Sequence, residues 1–180
     1  MDEEKIINIL QAFSDIHGFE YDKAPIPYIP FGGISGATND GTFSLYISRS
    51  ESSAHGRFLT NFTLKYKNLI PSGFCIEYEG NPNKKDLDFD DRIVDLSNDK
   101  QFDFLTIQAK TDLTNAFNQI DNIDETIFNI RSTLRISESG IALVVSRLFQ
   151  TIDELNSAYA RVLDILINIK MALTKTRERF

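Results

Sequence analysis

Between Asp86 and Asp91 the chain carries four aspartates, Asp86, Asp88, Asp90 and Asp91. Carboxylates at alternate positions are what a divalent cation meets at the start of a calcium-binding loop. Such a loop also needs glycine at its sixth position, where this chain has Asp91. Leu87 and Phe89 alternate with the acids, the pattern of a half-exposed strand whose carboxylates face water. Asp86, Asp88 and Asp90 are therefore the metal candidates, set against a plainer reading as solvated edge residues.

A second candidate is the proline- and glycine-rich stretch from Pro25 to Gly41. Gly33-Ile34-Ser35-Gly36-Ala37 approaches the G-x-S-x-G turn that exposes a nucleophilic serine. Ala37 replaces the last glycine, however, and prolines fill the run that should be a buried strand. The glycines at 36 and 41 have phosphate-loop spacing, but no lysine follows to reach a phosphate, and the next segment alternates like a strand. The stretch reads as a structural link from helix to sheet, long enough to cover a site. His55 lies among Ser50, Glu51, Ser52 and Ser53, yet neighbours in one loop seldom meet triad geometry. Two histidines and one cysteine are too few for an ordinary zinc set. No catalytic set emerges, and no cofactor is implied.

The 180 residues are 42% apolar and 25% charged, with 14 Phe and no Trp. That fits one globular domain over residues 1–180, which buries roughly 70% of its unfolded surface without needing disulfides or metals. A net charge of −7 disfavours nucleic acid and anionic membranes as partners. Lys65, Lys67, Lys84 and Lys85 make no lasting basic patch, because the aspartates follow them directly. Cys75, the single cysteine, falls in a strand-like run and reads as a buried, inert thiol. The acidic start "MDEEKIINIL" is unlike a secretory signal, and no apolar run reaches the ~18 residues of a membrane span. The expectation is a soluble cytoplasmic protein.

The elements that must position any site can be read from periodicity. "DEEKIINILQAFSDIHG" is an amphipathic helix with Ile6, Leu10, Phe13 and Ile16 on one face and Gly18 beyond its end. His17 reads as a helix-capping imidazole. Residues 43–48, 58–66 and 74–79 alternate with period two, as strands with one buried face do. "LDFDDRIVDL" reads as a shorter extended piece. Ser97 or Asn98 can cap a helix to about Gln119. Two short strands follow around Phe128–Ile130 and Leu134–Ile136.

The last helix is expected to start at Ser139 or Gly140 and run to about Lys175. Ile141, Val145, Leu148, Ile152, Leu155, Tyr159, Val162, Leu166, Ile169 and Leu173 follow a 4-3 spacing throughout. Val144, Phe149, Ala158, Leu163, Ile165 and Ala172 widen that seam into a broad apolar face, suited to a globular core. Ile167 and Met171 add apolar residues on the other side, which points to self-association between Asp164 and Leu173.

Taken together, "GGISGATNDGTFSLYI", the run from Arg57 to Phe104, "IFNIRSTLRISESG" and a closing helix resemble a group of prokaryotic domains of unassigned activity. In that group a glycine precedes the first strand and a Phe-Asp pair opens the strand before the middle helix. Gly36 or Gly41, and Phe89-Asp90, stand in those places here. The element order and the acidity also resemble type III secretion chaperones, small acidic dimers that bind extended segments of other proteins. The resemblance implies a similar fold and partner class.

The expected fold is α+β, with an antiparallel sheet of four to six strands on helices, in the order α-β-β-β-(β)-α-β-β-α. The expected function is a non-enzymatic protein-interaction or adaptor domain, a homodimer or assembly subunit, with contacts at Ile165, Ile167, Met171 and Leu173. The alternative is a small-molecule binder with a pocket between sheet and long helix. A divalent-metal enzyme at the aspartates is the third reading.

Overall fold

A computed structural model describes residues 3–23, 28–49, 58–66, 74–79, 93–95, 133–137 and 139–178. Helix α1, Glu3–His17, buries Ile6, Leu10, Phe13 and Ser14. Glu3 and Glu4 in its first turn suit the positive end of the helix dipole. It stops at Gly18, whose φ of 66° is the left-handed conformation glycine adopts at low cost. The Phe19 N–H then reaches back to the Ser14 carbonyl at 2.9 Å. This is the Schellman bond, and the Phe13 and Phe19 rings, 6.2 Å apart, supply its customary apolar contact.

Among the described residues one antiparallel sheet of eight strands carries the fold: β1 Glu20–Asp22, β2 Gly33–Thr38, β3 Gly41–Arg49, β4 Phe58–Lys65, β5 Phe74–Glu79, β6 Ile93–Asp95, β7 Thr133–Ser137 and β8 Gly140–Val145. Their spatial order is β1-β2-β3-β4-β8-β7-β5-β6. The β7–β8 hairpin is thus inserted between β4 and β5. Register aligns Ile34, Leu45, Phe62, Leu143 and Leu134 across five strands, and Phe43, Leu64, Ile141 and Ile136 in the next row. All are buried. Thr60 shares this face, and its hydroxyl is satisfied by the Arg147 carbonyl at 2.6 Å.

Helix α2, Ile152–Glu178, lies over β4 and β8 with α1 beside it. Its buried stripe is Leu155, Ala158, Tyr159, Val162, Ile165, Leu166, Ile169 and Leu173. Tyr159 stands edge-on to Phe13 at 5.2 Å and to Phe43 at 4.8 Å, joining both helices to the sheet. Truncating Phe43 or Phe62 in such a core costs roughly 3–5 kcal/mol.

The α+β architecture with a long C-terminal helix matches expectation, but several boundaries differ. The last helix begins at Ile152, not near Gly140, because Gly140–Val145 is strand β8. "GIALVV" is apolar throughout, as a central strand buried on both edges can be, and its four-residue spacings imitate a helix. The true start is a cap. The Glu154 N–H donates to Thr151 Oγ1 at 3.2 Å, while the Glu154 carboxylate accepts the Gln150 N–H at 2.9 Å. That is a capping-box arrangement displaced by one residue on its return bond.

The Pro25–Gly41 stretch also holds more structure than a link. "GISGAT" is strand β2, closed against β3 by the pairing of Thr38 with Gly41. Gly36 serves close approach there, since a Cβ would overlap the Phe19 ring. Strands β1 and β2 raise the sheet beyond the expected size. Ile16 does not join the core: it is 60% exposed, at the edge of the α1 stripe. Expectations for residues 50–57, 80–92, 97–119 and 128–130 lie outside the described residues.

Candidate functional site

The expected contact residues all lie on α2, and the fold separates them. Ile165 and Leu173, 4% and 2% exposed, belong to the chain's own core. Ile167 is half-buried and packs against that core from its flank. Met171 is 49% exposed. Leu163, Ile167 and Met171 recur every four residues, beside the main stripe rather than within it. The apolar surface that α2 leaves exposed is therefore narrower than periodicity suggests, and Met171 is its large exposed member among the described residues.

Two polar contacts fix how α2 presents this row. At its N-terminal end, Asn156 Oδ1 lies 2.9 Å from His17 Nε2. The imidazole is also packed against Phe13 at 4.4 Å, Tyr159 at 4.7 Å and Phe19 at 5.6 Å. His17 is thus a tie between the helices as well as the last residue of α1. Further along, Lys170 Nζ donates to the Asp40 carbonyl at 2.6 Å and lies 3.4 Å from its carboxylate. This draws α2 to the β2–β3 turn. Asn156, Leu163, Ile167 and Lys170 share one flank of the helix, so the two ties bracket Leu163 and Ile167, with Met171 just beyond the second.

Electrostatics show where protons are held. Burial pushes the Tyr159 and Tyr66 hydroxyls above the ordinary tyrosine range, Tyr66 much further. The Tyr66 hydroxyl is buried and has no hydrogen-bond partner among the described residues. Tyr21 is raised by burial and by the neighbouring Asp22 charge, and its hydroxyl donates to the Phe31 carbonyl at 2.7 Å. These phenols stay protonated at physiological pH, so none is poised to act as a base.

The other residues singled out by type are dispersed. Ser35 is exposed in β2, paired in register with Glu20 and Ser44. Cys75 lies in β5, paired with Val94 and Ser137. His55 and the candidates Asp86, Asp88 and Asp90 fall outside the described residues. Among the described residues, no group of three or more His, Cys, Asp or Glu converges where it could hold a metal ion. No described helix is long and apolar enough to cross a membrane. Comparison with known proteins finds no matching family model, no matching curated protein and no matching solved structure.

The His17–Asn156 and Lys170–Asp40 ties went unforeseen. Both join residues more than a hundred positions apart, 139 and 130 respectively, so no local pattern announces them. Thr151-Ile-Asp-Glu154 did carry a signal: a hydroxyl followed three residues later by glutamate, at the true helix start.

Proposed function

We propose that this chain is a non-enzymatic protein-interaction domain that self-associates through the outer row of α2, with Met171 at the centre of the contact and Ile167 beside it. The observation that carries the reading is the half-exposed Met171 on a helix whose neighbouring stripe residues are buried. A flexible thioether at a surface adapts to a partner at little packing cost. The resemblance to acidic dimeric chaperones supports the same partner class.

A ligand pocket between sheet and long helix is the weaker alternative. The rings of Phe13, Phe43, Phe62, Phe149 and Tyr159 crowd that space, with adjacent centroids 4.8–6.4 Å apart.

Sedimentation at high micromolar concentration tests the proposal. The mass should exceed one copy, and Met171→Asp should reduce it to one copy while its thermal stability matches that of the unaltered chain at dilutions where that too is one copy. One copy for the unaltered chain at that concentration overturns the reading.

A further inference from the structure

We draw no further inference here: the strongest candidate, the sheet face turned away from the two described helices, where Ser44, Tyr46, Thr63, Ala142 and Val144 lie between Lys65 and Arg135, carries no proposal because nothing in the structure shows what covers it.

Discussion

The β2–β3 and β7–β8 hairpins flank β4 and close in the same way, yet different parts of the molecule hold them. Each begins with a hydroxyl residue paired to a glycine: Thr38 with Gly41, and Ser137 with Gly140. Each hydroxyl donates to that glycine's carbonyl, at 2.8 Å and 3.3 Å. Both glycines have φ near the far positive limit, 151° and 157°. At both, a Cβ would run into the main chain of β4, at the Lys65 carbonyl on one side and the Leu64 carbonyl on the other. The difference lies in the anchor. A side chain from α2, Lys170, holds the first turn. Main chain holds the second, where the Tyr66 N–H donates to the Ser139 carbonyl at 3.3 Å. The Asp40 turn can thus exchange its tether by point substitution, whereas the Ser139 turn is held by the sheet itself.

The glycines test this most severely. Gly140 is buried and Gly41 is half-exposed, so Gly140→Ala is expected to cost roughly 3 kcal/mol and Gly41→Ala roughly 2. Urea denaturation measures both, and a Gly140 loss below about 1 kcal/mol breaks the comparison. The hydroxyls come next. Thr38→Val and Ser137→Ala should each cost about 1 kcal/mol, with the shorter Thr38 bond the more costly to lose.

Lys170→Met should cost about 0.5–1 kcal/mol, because the pair is partly exposed. Asp40→Asn should cost less, since the nearer bond goes to a backbone carbonyl. Equal losses in a double-mutant cycle would assign the tether to the carboxylate instead.

The smallest effect concerns the helix that follows β8. The Glu154 carboxyl is held below its ordinary range, first by the Gln150 N–H and then by the Arg147 charge. A lowered folded-state value means stability that is present above the unfolded carboxylate range and lost as pH falls through the folded one. The group is well exposed, so about a few tenths of a kcal/mol is at stake. A melting series into acid should show a slightly steeper decline for the unaltered chain than for Glu154→Gln.

Local pattern revealed much of this molecule. Strong periods exposed α1, β3, β4 and the stripe of α2, because each buries a single face. Strand β2 is hidden in the sequence because its two glycines, serine and alanine carry little strand preference; its partner and the Phe19 ring over Gly36 make it a strand. Strand β8 is ambiguous in the sequence because Ile141 and Val145 satisfy a helical spacing and an all-apolar strand equally well. Ile165 and Leu173 were expected at a contact surface, since periodicity shows which face is apolar but not what meets it. The neighbours β4–β8 and β5–β7 are non-local pairings, and no single segment encodes them.

The placement of β4 also has a temporal side. Thr60 bonds to Arg147, 87 residues further on. At a ribosomal rate of roughly 5–20 residues per second, the β1–β4 meander waits several seconds with one margin bare. During that interval the nascent chain offers an adhesive seam to its siblings. Crowding on polysomes, more than the finished protein's resilience, should therefore govern how much of it is recovered intact.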